Sequence, residues 1–145
     1  MKPHGSHFEF EQQRNDDLMT VYHETIVNAD FVRMPDIYEK VANSPSQRFW
    51  VSEERAAIVV CAMLRGDKLT NMRPLKREMY NEIFSRVMKL RKQNPATPIS
   101  KLVAIVVEQP APKFYITPGS AKVQICKIRK EWYFRRTKRR LRHLF

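Results

Sequence analysis

The stretch NSPSQRFWVSEERAAIVVCAM at residues 43–63 is matched, 65 residues further along, by EQPAPKFYITPGSAKVQICKI at residues 108–128. The two stretches align without a gap. The aligned pairs include Pro45 with Pro110, Phe49 with Phe114, Trp50 with Tyr115, Ala56 with Ala121 and Cys61 with Cys126. An ungapped match of this length predicts that the chain contains one structural unit twice. The functional question is then how the two copies differ.

Length and composition limit what the chain can be. Its 145 residues, 43% of them apolar, suffice for one ordinary domain or two very small ones with a hydrophobic core. The net charge is +12, but residues 1–45 hold 4 basic and 8 acidic side chains, whereas residues 97–145 hold 12 and 2. A cationic end of this kind favours polyanionic partners, nucleic acid first and an anionic membrane surface second.

The two cysteines lack CxxC spacing, and the N-terminus carries no secretory apolar stretch. We therefore expect a cytoplasmic protein, associated with the nucleoid if it binds DNA. No window of the sequence reaches the length of a membrane span.

Glycine is scarce and proline falls where helices would begin or end, which predicts an all-α fold. Asn15 or Asp16 is the expected cap of the first helix, and Ser52 is the expected cap of a helix that Gly66 closes. The predicted organisation is a flexible segment at 1–14, a first trihelical unit at 15–65, a linker at 66–73, a second trihelical unit at 74–134 and a basic C-terminal extension at 135–145.

In each copy an aliphatic residue and a Ser or Thr cap precede a third helix, as VSEERA at residues 51–56 and ITPGSA at residues 116–121. This pattern resembles the entry to the recognition helix in tandem helix-turn-helix DNA-binding proteins. The resemblance covers the second and third helices of each unit, and it implies a third helix in the DNA major groove. In each copy the intervening turn is longer than the usual three or four residues and carries one aromatic pair, Phe49-Trp50 or Phe114-Tyr115. We expect these aromatic side chains in the core, with stacking on unpaired bases as the alternative.

The two third helices differ in polarity. The first begins with two carboxylates and is apolar nearly all round, so we expect it to be buried or to form a homodimer. The second offers Gln124 to an adenine edge, Lys122 and Lys127 to guanine or phosphate, and Ser120 to phosphate. The complete predicted nucleic-acid-binding set is Thr117, Ser120, Lys122, Gln124, Lys127, Arg129, Lys130, Arg135, Arg136, Lys138, Arg139 and Arg140. The alternative is that these residues form only the solvated face of an amphipathic helix.

The chain ends in KIRKEWYFRRTKRRLRHLF at residues 127–145. Neutralising phosphates with such a cationic run releases bound counterions, so it favours binding to polyanions without sequence preference. Its last apolar residues are expected either to pack back on the protein or to bind a lipid surface.

No nucleophile elbow, glycine-rich phosphate loop or zinc-ligand spacing is present. Asp36, Glu39 and Lys40 faintly resemble the residue set of metal-dependent nucleases, but they fall at helical spacing. We therefore expect no catalytic residue, metal or cofactor. The leading hypothesis is a non-enzymatic protein that binds duplex DNA through its second unit and basic extension, as a transcription regulator or a mobile-element or phage accessory factor. The alternatives are an RNA-binding or ribosome-associated helical protein and a protein–protein assembly module.

Overall fold

A computed structural model describes the backbone of residues 4–144 and the side chains of residues 10–144. Its helices are α1 (His4–Asn28), α2 (Met34–Ala42), α3 (Glu53–Leu64), α4 (Pro74–Gln93), α5 (Ile99–Val107) and α6 (Pro118–Leu144). Residues 4–144 contain no β-strand, which confirms the all-α prediction.

The ends of α3 follow the predicted signals. The Ser52 hydroxyl oxygen accepts a hydrogen bond from the Arg55 amide at 3.2 Å and so satisfies one of the unpaired donors of the first turn. At the other end Gly66 adopts a φ of +100°, and its amide donates to the Met63 carbonyl at 3.0 Å. A left-handed glycine at this position ends a helix because a side chain there would be strained.

Helix α1 begins at His4, well before the predicted cap. Residues 4–14, which we expected to be flexible, are therefore helical, and residues 1–3 lie outside the described part of the chain. Asp16 lies inside the helix, where its carbonyl accepts a hydrogen bond from the Thr20 hydroxyl at 2.8 Å. A residue type that can cap a helix is also found in a helix interior when its hydrogen-bonding groups have partners within the same helix.

The helices gather into two compact units. Unit 1 comprises residues 1–42 and 116–145, and unit 2 comprises residues 43–115. In unit 1, α6 packs on α1 and α2, whereas in unit 2, α3 packs on α4 and α5. Each unit therefore joins the first two helices of one sequence repeat to the third helix of the other. The continuous units expected at 15–65 and 74–134 do not coincide with this division.

Unit 2 contains a symmetrical backbone pairing between equivalent residues of the two repeats. The Ser46 amide donates to the Ala111 carbonyl and the Ala111 amide to the Ser46 carbonyl, both at 3.1 Å. Beside this pair the rings of Phe49 and Tyr115 stack with their centroids 6.1 Å apart. Phe49, Phe114 and Tyr115 are all buried, so three of the four repeated aromatic residues pack in the protein interior, as expected.

In unit 1 the buried side chains come from all three helices. Leu18 and Tyr22 of α1, Ile37 of α2, and Ile125 of α6 are almost completely buried. The Tyr22 and Tyr38 rings stack at 6.3 Å between α1 and α2. This packing holds the first half of α6 in place and so positions the candidate site.

Candidate nucleic-acid interface

Helix α6 begins at a side-chain cap. The Thr117 hydroxyl accepts a hydrogen bond from the Ser120 amide at 3.0 Å and donates to the Ser120 hydroxyl, also at 3.0 Å. Pro118 occupies the first helical position, where a missing amide hydrogen costs nothing. We expected Ser120 to hold phosphate, but its amide is already bonded within the cap.

One line of side chains along α6 changes from apolar to cationic partway along the helix. Buried Ala121, Ile125 and Ile128 are followed at alternating spacings of four and three by Trp132, whose ring lies 6.3 Å from that of His23 on α1. The same spacing continues the line as Arg135, Arg139 and Arg142. Because the packing side of the helix becomes cationic after Trp132, α6 runs on past its contacts with α1 and α2.

We call residues 129–144 the α6 tail. All sixteen of its residues are exposed, and it contains eight Lys or Arg side chains but one acidic residue, Glu131. Within the described residues none of these eight cations forms an ion pair. The tail is therefore a cationic helix, four turns long, whose charges face solvent.

The cations of the tail concentrate on one side. With 3.6 residues per turn, they form two rows about a third of a turn apart: Arg135, Arg139 and Arg142 in one, and Arg129, Arg136 and Arg140 in the other. We call these six residues the cationic face. Arg142 was absent from the predicted set. Continuing the four-and-three spacing of the packed residues beyond Trp132 would have identified it.

The predicted residues in the first half of α6 divide between two flanks. Thr117, Ser120 and Gln124 line one shallow surface depression, and Lys127 follows them on the same flank. Lys122 lies on the opposite flank, more than a third of a turn away. Gln124 is half-buried and the other four are exposed. The structure therefore brings together four of the five residues predicted here and separates Lys122 from them.

The remaining predicted residues, Lys130 and Lys138, lie outside the cationic face. Lys130 is on the far side of the helix, and Lys138 continues the flank of Ser120 and Lys127. Both are exposed.

Helix α3, the counterpart of α6 in the first repeat, has a different environment. Ala56, Val59 and Val60 are buried, and α3 packs against α4 and α5. The apolar side that we expected to be buried or to form a homodimer is thus occupied inside unit 2. Ile58 and Cys61 are exposed, so α3 is not buried all round.

Among the side chains of residues 10–144, no group of three or more His, Cys, Asp or Glu is placed to hold a metal ion. None of the helices in this part of the chain has the length and apolar character needed to cross a bilayer. Comparisons with protein-family models, with curated proteins and with solved structures find no match to this chain.

Proposed function

We propose that this protein is a non-enzymatic nucleic-acid-binding protein that contacts duplex DNA through the cationic face of the α6 tail. The observation that carries the proposal is the exposed, unpaired concentration of arginines on one side of a continuous helix. The like charges on an exposed cationic helix that lacks internal ion pairs repel one another. Bound phosphate groups neutralise these charges and so reduce the repulsion.

The dimensions of the tail suit a groove of DNA. Sixteen helical residues extend about 24 Å, and an α-helix has a diameter of about 10 to 12 Å with its side chains. The major groove of B-form DNA is about 12 Å wide and admits one such helix. Arginines on its flanks then meet the phosphates on both sides, in the manner of continuous basic helices that cross the groove.

Arginine is well matched to this role. Its planar guanidinium keeps its charge and presents several donors to phosphate oxygens or to a guanine edge. All six members of the cationic face are arginine. Lys127 and Gln124, one or two turns earlier on α6, are the proposed base-contacting residues, whereas Lys122 on the opposite flank is assigned to phosphate alone.

Structured RNA is the alternative partner. The major groove of A-form RNA is deep and too narrow for a helix of this width, so a cationic helix discriminates in favour of B-form DNA. Binding to RNA would be expected mainly at loops and bulges, where the groove opens.

As a DNA-binding protein, it is placed in this proposal among cytoplasmic, nucleoid-associated proteins, with a regulatory or accessory role.

The test compares three ligands of equal length: a DNA duplex, an RNA hairpin and a single strand. The full chain is compared with a tail variant, Arg135→Gln/Arg139→Gln/Arg140→Gln, and with an α4 control, Lys89→Gln/Arg91→Gln/Lys92→Gln. The control removes three cations at the end of α4 that are also exposed. We expect the duplex to bind most tightly and the tail variant to lose affinity by about tenfold or more, since each lost phosphate contact removes part of the counterion release.

Equal loss of affinity in the tail variant and the α4 control would show that net charge alone is responsible, and would contradict the proposal. A clear preference for the RNA hairpin would support the alternative partner.

The double variant Gln124→Ala/Lys127→Ala tests the base-contacting role separately, because it should reduce discrimination among duplex sequences more than overall affinity.

A further inference from the structure

The α6 tail carries an apolar stripe on the side opposite to its cationic face. The stripe consists of Tyr133, Phe134, Leu141 and Leu144, which are 70%, 62%, 49% and 75% exposed. Large apolar side chains scattered singly on a surface need no explanation, but four on one side of a short helix do.

The stripe follows from the spacing of its residues. Phe134, Thr137, Leu141 and Leu144 succeed one another at intervals of three, four and three residues, so they form one line along the helix, and Tyr133 lies beside it. Thr137 does not interrupt this line with an unpaired polar group, because its hydroxyl donates to the Tyr133 carbonyl at 3.0 Å. The line lies about half a turn away from Ala121, Ile125 and Ile128, the side on which α6 packs in unit 1.

The apolar residues of α6 therefore move from one side of the helix to the opposite side along its length. In the first half it is the side that packs on α1 and α2, and in the tail it is the opposite side, which faces solvent. Packing within unit 1 accounts for the apolar side of the first half of α6. Within the described part of unit 1, the apolar stripe of the tail is uncovered.

Cations border the apolar stripe on both of its edges. Arg129 and Arg140 lie along one edge and Lys138 along the other, and no acidic residue occurs between Trp132 and Leu144. An apolar stripe flanked by cations complements a surface that is apolar inside and anionic at its rim. Such helices lie in the plane of a membrane, with their aromatic and aliphatic side chains at the boundary of the acyl chains.

A second copy of the chain fits this surface less well. Pairing two stripes would bring together two helices that each carry eight cations, with only one acidic residue on each to offset the repulsion. Four side chains over three turns also offer far less apolar area than a stable protein interface buries.

We propose that the α6 tail binds anionic lipid surfaces, lying in the plane of the bilayer. Tyr133, Phe134, Leu141 and Leu144 enter the boundary between headgroups and acyl chains, while Arg129, Lys138 and Arg140 contact headgroup phosphates. This activity goes beyond the proposed binding to nucleic acid and does not depend on it. Because Arg129 and Arg140 belong to both surfaces, DNA and anionic lipid are expected to compete for the protein.

The test measures co-sedimentation of the full chain with vesicles of phosphatidylcholine alone and with vesicles that also contain phosphatidylserine. The stripe variant Phe134→Ser/Leu141→Ser is compared with the control Ile58→Ser/Val123→Ser, which alters two other exposed aliphatic residues, 60% and 68% exposed. We expect tight binding only to the anionic vesicles. The stripe variant should bind them about tenfold or more weakly, and the control should bind like the wild type, since only the stripe enters the bilayer.

Binding of the same variants to a DNA duplex separates this proposal from the preceding one. If the stripe variant retains duplex affinity while losing vesicle affinity, the apolar stripe has the assigned role. Unchanged vesicle binding by the stripe variant, or equal binding to both kinds of vesicle, would overturn the lipid proposal without affecting the DNA proposal. A stripe variant that changes the sedimentation of the protein alone, with no vesicle binding by the wild type, would also overturn it and would identify a second copy as the occupant.

Discussion

At the residue scale, equivalent positions in the two repeats have similar burial. Ala56 and Ala121 are both fully buried, as are Val60 and Ile125, whereas Ile58 and Val123 are both exposed. Helical spacing puts Ala56 on the same face as Val60, and Ala121 on the same face as Ile125, because residues four apart lie on one side of a helix. It did not predict the exposure of Ile58, since an aliphatic side chain is covered only if another element reaches it.

Adjacent residues of α3 provide a matched pair of substitutions. Val59→Glu places a carboxylate in the core of unit 2 and should lower the free energy of unfolding by about 3 kcal/mol or more. Ile58→Glu changes an exposed position and should alter it by about 0.5 kcal/mol or less. Chemical denaturation measures both values. Equal effects of the two substitutions would contradict the assigned orientation of α3.

Tyr115 gives unit 2 a predicted sensitivity to alkaline pH. Burial, with smaller contributions from the Glu82 and Glu78 carboxylates, raises the pKa of its phenol to about 12, compared with a usual value of 10.0. A raised pKa in the folded state means that the phenol contributes stability below about pH 10, and that this contribution is lost as the pH rises toward 12.

The free energy of unfolding should therefore fall between about pH 10 and 12, and it should fall less in a Tyr115→Phe variant, which has no group to ionise there. Denaturation curves at several pH values measure both slopes. Parallel slopes for the wild type and the variant would show that the phenol does not ionise differently in the two states.

At the element scale, the two third helices differ most at their C-terminal ends. Helix α3 ends at Leu64, just before Gly66, whereas the position of α6 aligned with Gly66 is Glu131 and the helix continues for 13 more residues. This difference was predictable, because neither proline nor glycine occurs after Gly119. The start of α1 was not, because its capping residues are equally compatible with the interior of a helix. The opposed apolar and cationic sides of the tail also follow from the residue spacing in the sequence. This spacing was not recognised, because the many basic residues led us to treat the segment only as a charge run.

The two halves of α6 should differ in dynamics. Amide hydrogens near Ala121 and Ile125 are expected to exchange slowly, because opening them requires disruption of the buried face. Amide hydrogens from Tyr133 to Leu144 should exchange much faster, since a solvated helix of this length is marginal. Hydrogen exchange read by mass spectrometry distinguishes the halves. Uniform protection along α6 in the free protein would contradict the description of the tail as uncovered.

At the scale of the whole molecule, the exchange of third helices between repeats is the feature that sequence could not supply. Periodicity shows which face of α3 or α6 is apolar, but not which helices cover it, because both repeats offer equivalent partners. The duplication itself was visible in the sequence. The symmetrical pairing of Ser46 with Ala111 joins equivalent residues of the two copies.

This arrangement predicts that neither half of the chain folds alone. Residues 1–66 lack the third helix of unit 1, and residues 67–145 lack the third helix of unit 2. The two fragments, produced together, should associate one to one and recover the helix content of the intact protein, as circular dichroism and analytical ultracentrifugation can show. Two independently folded fragments that do not associate would contradict the exchange.

The most direct test of the proposed function is the salt dependence of binding to a DNA duplex. Neutralising each phosphate contributes about 0.9 to the slope of log K against log salt concentration, so six contacts from the cationic face give a slope of about −5. The tail variant, which lacks three of these arginines, should reduce the slope by about 2.7, whereas the α4 control should leave it unchanged. A slope that is the same in the wild type and the tail variant would show that the cationic face does not contact phosphate.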